Sequence, residues 1–151
     1  KTTYANMLKV KLQEKNPSQQ IIILAGDIVR TNLSKGLGFS QKDRSTNVRR
    51  IGYVASEIVK HNGIVICANI APYEDDRLFN RNIIQKVGKY IEIWVNTPLN
   101  ICETRDVKGL YKLARKGIIK QFTGISDPFE KPKHVDVVIN NDDYNIESVI
   151  I

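Results

Sequence analysis

A carboxylate follows the first strongly aliphatic stretch of the chain. Asp27 comes directly after Ile21–Ala25 and Gly26, and Arg30 lies about one helical turn later. Because α/β proteins hold their ligands at the carboxyl ends of strands, Asp27 could orient a hydroxyl group there and accept its proton. Arg30 would then face the same crevice. The alternative is that Asp27 only caps the helix that follows, which is a common role for this residue type.

The first three residues are of the types that bind nucleotide phosphates at the start of a helix. Lys1, Thr2 and Thr3 match the end of a phosphate-binding loop, in which the lysine reaches the β and γ oxygens and the next hydroxyl binds Mg²⁺. The glycines of such a loop do not precede them in this sequence. By itself, the tripeptide indicates only an exposed helix start.

An aromatic residue, a serine and several arginines lie close together after the first strand. Ser40 and Asp43 have the spacing of a helix N-cap, which is a structural role. Arg44 and Asn47 share one face near the start of that helix, where the helix dipole favours an anion. Because arginine binds phosphate or sulfate through paired hydrogen bonds, this face and the neighbouring Phe39 are a candidate anion site.

The segment 106–132 differs from the rest of the chain. It is basic, contains glycines and ends with Pro128 and Pro132. A segment of this length without strand periodicity is uncommon in a compact domain unless it is a functional lid. Lys108 and Phe122 suit a lid that closes over phosphates and stacks on a base. The alternative is a solvated surface excursion.

These residues need a scaffold, and the hydrophobic pattern predicts one. Runs that are apolar on both faces alternate with stretches of helical spacing, which is typical of a buried parallel sheet with helices on both sides. We therefore predict an α/β fold with a doubly wound parallel sheet. The predicted strands are Ile21–Ala25, Gly63–Ala68, Tyr90–Asn96 and Val135–Asn140, and the predicted helices are Thr3–Lys15, Asp43–Asn62, Asp75–Val87 and Leu99–Arg105.

Composition limits the class of partner. The 151 residues carry 23 basic and 16 acidic side chains, a net charge of +7, which suits an anionic partner. No nucleic-acid-binding signature is present, so a nucleotide with several phosphates is favoured over DNA or RNA. No apolar stretch approaches the roughly 20 residues of a membrane-spanning helix.

Cysteine and histidine content points to a reduced, zinc-free protein. Cys67 and Cys102 are too few for a disulfide scaffold, and both have apolar neighbours in the sequence. We predict reduced core thiols in a cytoplasmic protein. His61 and His134 are far apart and have no cysteine cluster near them, so no zinc site is predicted.

The ends of the sequence lie inside the predicted architecture. Lys1 leads directly into a helix, and Ile151 ends an apolar helical start at Ile146, Val149 and Ile150. A doubly wound sheet normally has a strand before such a first helix. We therefore expect residues 1–151 to be a single domain that lacks its N-terminal strand and most of the phosphate-binding loop, with its C-terminal helix cut short.

Together these motifs resemble the adenylylsulfate (APS) kinase family, either as a separate enzyme or fused to sulfate adenylyltransferase. The resemblance extends from Lys1 to about Asn140. The segments that carry it are Gly26-Asp27-x-Val29-Arg30, residues 33–51, Pro72-Tyr73, residues 105–115 and residues 120–128.

The resemblance implies a P-loop NTPase-type fold with 106–132 as a basic lid. It implies a kinase that uses Mg²⁺ and ATP to phosphorylate the ribose 3′-hydroxyl of APS, giving ADP and 3′-phosphoadenylyl sulfate (PAPS). It also implies a homodimer, possibly attached to a sulfate adenylyltransferase.

The same resemblance implies a role for individual residues. Asp27 and Lys1 would be catalytic, and the Thr2 hydroxyl would bind Mg²⁺. Phe39 and Phe122 would enclose the adenine of the acceptor. The full substrate-binding set is Arg30, Phe39, Arg44, Asn47, Ile70, Lys108 and Phe122, and the ATP-binding set is Lys1, Thr2, Thr3, Arg105 and Lys112.

Three positions depart from the usual pattern of the family. Ala25 stands in place of an aspartate, Ala71 in place of a serine and Glu74 in place of an arginine. Two alternatives therefore stay open: a kinase for another nucleotide acceptor such as cytidine diphosphoramidate, and a regulatory domain that binds PAPS without catalysis. The retained Lys1, Arg30 and complete lid favour the active enzyme.

Overall fold

The computed structural model describes residues 1–140, and its strands form two parallel pairs. In the first pair Ile21 lies opposite Ile64, and in the second pair Ile93 lies opposite Val137. The strands are β1 (Ile21–Ala25) paired with β2 (Ile64–Ala68), and β3 (Ile93–Asn96) paired with β4 (Val137–Asn140).

Helices separate the strands along the chain. They are α1 (Thr2–Lys15), α2 (Gly26–Thr31), α3 (Gln41–Lys60), α4 (Glu74–Ile84), α5 (Leu99–Arg105) and α6 (Leu110–Arg115). The predicted strands and long helices are confirmed, with differences of a few residues at their ends. The helices α2 and α6 were not predicted, because six residues are too few to show an amphipathic repeat. None of the helices in residues 1–140 has the length and apolar character needed to cross a membrane.

The first helix contacts both strand pairs. Tyr4 on α1 and Ile139 on β4 are buried against each other, and partly buried apolar side chains of β3 and β4 pack around them. Residues of α1 also contact β1 and β2. Burial of these side chains therefore holds the two parallel pairs beside one helix, whose first residues are the candidate phosphate-binding residues.

The helices α3 and α4 pack closely because one contact residue has no side chain. A methyl group on Gly52 would lie 1.9 Å from the side-chain oxygen of Asn80 on α4. The amide of Asn80 donates a 3.1 Å hydrogen bond to the carbonyl of Val48, also on α3. Val48 and Ile51 are buried, in agreement with the apolar face predicted for this helix.

Two details differ from the sequence-based expectations. Within residues 1–140 the strands form two separate ladders rather than one continuous sheet, because β2 and β3 do not pair with each other. The predicted burial of both cysteines is also wrong: Cys67 is exposed and Cys102 is only partly buried. Cys67 lies on β2, which has β1 as its only strand partner in the described chain. The helical start predicted at Ile146 lies outside the described residues.

Candidate active site

A strand end, a helix start and the lid meet at Asp27. The residue lies in the first turn of α2, directly after β1, and its carboxylate forms an ion pair with the ammonium of Lys108 from the lid segment. The N-cap of α2 is Ala25, and no side chain caps the helix. The alternative capping role of Asp27 is therefore wrong, and its side chain, 82% exposed, points away from the helix start toward the lid.

Lys1 lies near the same carboxylate. Loss of hydration lowers the pKa of its side-chain ammonium, and the positive charge of Lys108 lowers it further, while Cys102 and Asp27 act in the opposite direction. Lys1 is also the N-cap residue of α1, where no side chain caps the first turn. Thr2 and Thr3 follow it with exposed side chains. Uncapped backbone N–H groups and exposed hydroxyls at a helix start suit a phosphate group.

A second cluster forms around Phe39. The guanidinium of Arg30 lies 4.4 Å from the centre of its ring, and that of Arg44 lies 5.4 Å away. Arg30 also donates hydrogen bonds to the carbonyls of Leu37 and Gly38, at 3.2 and 3.0 Å. Phe39 itself is 51% exposed, so its ring offers an aromatic surface with two guanidinium groups beside it, of which that of Arg44 is buried.

Arg44 joins the Phe39 loop to the lid. Its Nε donates to the carbonyl of Phe39 at 3.0 Å, and its Nη2 donates to the carbonyl of Gln121, the residue before Phe122. Burial lowers the pKa of Arg44, and the neighbouring charge of Arg30 lowers it further. The side chain predicted to bind substrate therefore also fixes the two aromatic segments relative to each other. Phe122 packs edge-on against Tyr111, with ring centres 5.0 Å apart.

The helix face that carries Arg44 also contains an unpaired polar atom. Asn47 is 6% exposed, and its side-chain oxygen has no hydrogen-bond partner in the described chain. The Ser40 hydroxyl accepts a 3.1 Å hydrogen bond from the N–H of Asp43, which confirms the predicted N-cap of α3. A buried oxygen without a partner is costly, so a donor group on a ligand would stabilise this site.

The loop between β2 and α4, residues 69–73, is the candidate acceptor loop. Ile70 is exposed, Pro72 is fully buried, and Ala71 has a φ of 44°, in the left-handed region that residues with a side chain rarely adopt. Arg77 donates a 2.7 Å hydrogen bond to the carbonyl of Ala71. Glu74 forms an ion pair with the same arginine, so its carboxylate is already occupied.

The lid, residues 106–132, contains its own local structure. The carboxylate of Asp106 accepts hydrogen bonds from the N–H groups of Tyr111 and Lys112 at the start of α6. Gly109 is the N-cap residue of this helix and has a φ of 67°. The side chains of Lys112 and Arg105 are exposed. A second turn follows at Phe122, whose carbonyl accepts from three N–H groups of residues 125–127.

The structure thus brings the predicted residues into two groups. The first contains Asp27, Lys1 and Lys108; the second is built from Arg30, Phe39 and Arg44 and includes the chain before Phe122. No contact of the described residues joins Ile70 to either group. Sequence reasoning missed Arg77 and Glu130, which meet at the acceptor loop. The sequence did contain a signal for Arg77, because Glu74 lies three residues before it on the same helix face, a spacing that allows an ion pair.

Comparisons with known proteins show the family of the chain. The family model described as Adenylylsulphate kinase matches residues 1–140. The chain is 49% identical over 150 residues to an adenylyl-sulfate kinase of Rippkaea orientalis, and this alignment covers 99% of this chain and 80% of the relative. An adenylyl-sulfate kinase of Microcystis aeruginosa is 47% identical with the same coverage.

Solved structures resemble the whole described fold. The Mycobacterium tuberculosis APS kinase CysC, in complex with AMPPNP and APS, superposes with a TM-score of 0.89 at 37% identity, covering 95% of this chain and 82% of that one. The hexameric APS kinase from Thiobacillus denitrificans gives a TM-score of 0.70 at 36% identity, covering 98% of this chain and 24% of that one. With its parallel α/β fold and these matches, the chain belongs to the adenylylsulphate kinase family.

Proposed function

We propose that the chain transfers the γ-phosphoryl group of ATP to the ribose 3′-hydroxyl of APS, giving ADP and PAPS. The observation that carries this proposal is the ion pair between Asp27, at the end of β1, and Lys108 of the lid, with Lys1 close to both. One carboxylate and two ammonium groups therefore meet between the start of α1 and the lid. Phosphoryl transfer depends chiefly on such positioning and on positive charge around the transferred group.

In this proposal Asp27 is the general base. The 3′-oxygen bonds to the γ-phosphorus, the bond from that phosphorus to the β–γ bridging oxygen breaks, and its electron pair leaves with ADP. The hydroxyl proton passes to the carboxylate of Asp27. Lys1 and Lys108 stabilise the negative charge of the transferred group in the transition state.

ATP would bind at the start of α1. The uncapped first turn and the hydroxyls of Thr2 and Thr3 support phosphate binding there, and Arg105 and Lys112 would add positive charge from the lid. Residues 1–140 contain no group of three or more His, Cys, Asp or Glu side chains that could hold a metal ion. We propose Mg²⁺ as the ion that accompanies ATP. Its ligands would be phosphate oxygens and the exposed Thr2 hydroxyl, a donor set that suits Mg²⁺. An ion held there would supply positive charge that neutralises the β- and γ-phosphates.

APS would bind along the second cluster and the acceptor loop. Arg30 and Arg44 supply cations, and the unpaired oxygen of Asn47 supplies a buried acceptor atom. The rings of Phe39 and Phe122 would stack on the adenine, and the backbone at Ile70 would contact the acceptor. The occupied carboxylate of Glu74 supports APS as the acceptor, since the acidic group at this position is paired with Arg77.

The proposal extends to the organisation of the protein. Residues 1–151 would act as one domain in which 106–132 closes as the lid, and two copies would form a dimer. A groove between α3 and α4, lined by apolar side chains such as Tyr53 and Phe79, supports a contact between copies. We propose the cytoplasm as the place of this reaction.

Release of ADP from MgATP and APS by the natural full-length protein tests the reaction. We expect Asp27→Asn to lower the turnover rate by about 10²–10⁴-fold, the usual contribution of a general base. Glu14→Gln is the matched control, since this exposed carboxylate lies near the opposite end of α1 and its loss leaves turnover unchanged. Turnover of cytidine diphosphoramidate alone would contradict APS as the acceptor. Binding of PAPS without any ADP release would contradict catalysis.

A further inference from the structure

One arginine outside the predicted site contacts both the acceptor loop and the end of the lid. Arg77, on α4, is 5% exposed. Its Nη1 donates a 2.7 Å hydrogen bond to the carbonyl of Ala71, and its Nη2 donates a 2.8 Å hydrogen bond to the carbonyl of Glu130. Ala71 lies 6 residues from Arg77 in the sequence, whereas Glu130 lies 53 residues away.

The loop that Arg77 holds has an unfavourable backbone conformation. Ala71 has a φ of 44°, in the left-handed region, which is unfavourable for a residue with a side chain. Pro72 follows it, and a proline further limits the backbone angles that the residue before it can adopt. Such a conformation persists only where surrounding contacts fix it. The bond from Arg77 to the carbonyl of Ala71 is such a contact, and it sets the direction of the peptide next to Ile70.

The end of the lid is attached to the same loop. The N–H of Glu130 donates to the carbonyl of Pro72 at 2.9 Å, and the carboxylate of Glu130 accepts from the N–H of Glu74 at 2.6 Å. Phe129, the preceding residue, lies with its ring centre 5.8 Å from the guanidinium of Arg77. The loop and the lid end therefore share one set of contacts.

Two carboxylates keep the guanidinium in place. Glu74 forms an ion pair with Nη2 of Arg77, and Glu92 lies 3.4 Å from its Nε. Burial acts to raise the pKa of Glu74, but its hydrogen bond to Arg77 and the charge of Arg77 outweigh burial and lower that pKa. Glu74 therefore stays charged. A planar guanidinium can bond to two carbonyls and a carboxylate together, which a lysine ammonium on a flexible stem cannot reproduce.

We infer that Arg77 is a positioning residue that holds the acceptor loop and the lid end in one arrangement, so that acceptor binding and lid closure depend on each other. The inference deepens the proposed function and rests on it only for the identity of the acceptor. Glu74, which departs from the family pattern, is the counter-ion of this arrangement rather than a group that contacts the acceptor.

The test compares Arg77→Met and Arg77→Lys with Arg81→Met. Arg81 is the matched control, because it lies one turn later on α4 and makes the same kinds of bonds. Within residues 1–140, the hydrogen-bond and ion-pair partners of Arg81 are the carbonyl of His134 and the carboxylates of Asp136 and Glu92, none of which belongs to the acceptor loop or to Glu130. Arg77→Lys keeps the charge and allows the test to proceed if Arg77→Met does not fold.

The first readout is amide hydrogen exchange in the ligand-free full-length protein. We expect both Arg77 variants to exchange faster at residues 69–73 and at 121–130 together, whereas Arg81→Met leaves both segments unchanged. Unchanged exchange in the Arg77 variants, or the same increase in Arg81→Met, would overturn the inference. This readout does not depend on catalysis.

The second readout is steady-state kinetics. We expect the Arg77 variants to raise KM for APS by at least about tenfold, the equivalent of one hydrogen bond to a charged group, with KM for ATP unchanged. Equal changes in both KM values, or no change in either, would overturn the positioning role. A parent protein that forms no PAPS would contradict the proposed function, while the exchange result would still decide the link between loop and lid.

Discussion

The ion pair of Asp27 and Lys108 lies largely in water. The two side chains are 82% and 61% exposed, and exposed pairs of this kind contribute only about 0–1 kcal/mol to stability. Lys108 pairs with the carboxylate that the proposed reaction needs as a base. A hydroxyl group can approach Asp27 only if the ammonium moves or shares the carboxylate.

We therefore expect Lys108→Met to separate function from stability. The free energy of unfolding should change by less than about 0.5 kcal/mol, whereas kcat/KM for APS should fall by at least about tenfold. Urea denaturation and ADP release measure the two quantities. Lys116→Met is the control, an exposed lysine of the same lid after the end of α6, and it should change neither. A loss of stability that accounts for the lost activity would contradict the expectation.

Contacts between residues close in sequence could be predicted, and contacts between distant residues could not. The spacing of Ser40 and Asp43 indicated an N-cap, which the structure confirms, because that bond joins residues three positions apart. Arg44 was predicted as a ligand-binding residue, but its bond to Gln121 spans 77 positions. A sequence pattern has no information on such a partner, so the structural role of this arginine was not foreseen.

The helices and strands show the same division between local and distant information. Aliphatic runs and helical spacing predicted the four strands and four of the six helices, since both patterns are periodic within one segment. The division of the strands into two ladders was not predictable, because strand pairing depends on which edges meet in space. The close packing of α3 on α4 was not predictable for the same reason. In the sequence Gly52 indicates only a residue that destabilises a helix, whereas the structure shows that Asn80 of α4 packs against it.

Gly52→Ala tests this helix contact. Alanine gains about 1 kcal/mol of helix propensity over glycine, but its methyl group would lie 1.9 Å from the Asn80 side chain, and overpacking of this kind costs about 1–3 kcal/mol. We expect a net loss of about 1 kcal/mol in the free energy of unfolding, measured by urea denaturation. Asn80→Ala should remove the clash, so the double variant should be more stable than the sum of the single changes predicts. Simple additivity would contradict the contact.

At the scale of the molecule, the net charge and an apolar groove differ in how much they indicate about binding partners. The net charge of +7 suits the anionic nucleotides of the proposed reaction but does not identify them. The apolar groove between α3 and α4 is more specific, because Leu33, Tyr53 and Phe79 there are 39%, 62% and 38% exposed. Adjacent exposed apolar side chains favour contact with another protein surface.

Tyr53→Glu tests whether that surface is a second copy of the chain. Because Tyr53 is exposed in the single chain, a carboxylate there should leave folding intact, but a dimer contact would have to remove that charge from water in place of an apolar ring. We expect light scattering to give twice the chain mass for the parent and the single-chain mass for Tyr53→Glu. Val10→Glu, on the exposed side of α1, is the matched control and should remain dimeric. A parent that is monomeric at all concentrations, or a dimeric Tyr53→Glu, would exclude this groove as the dimer contact.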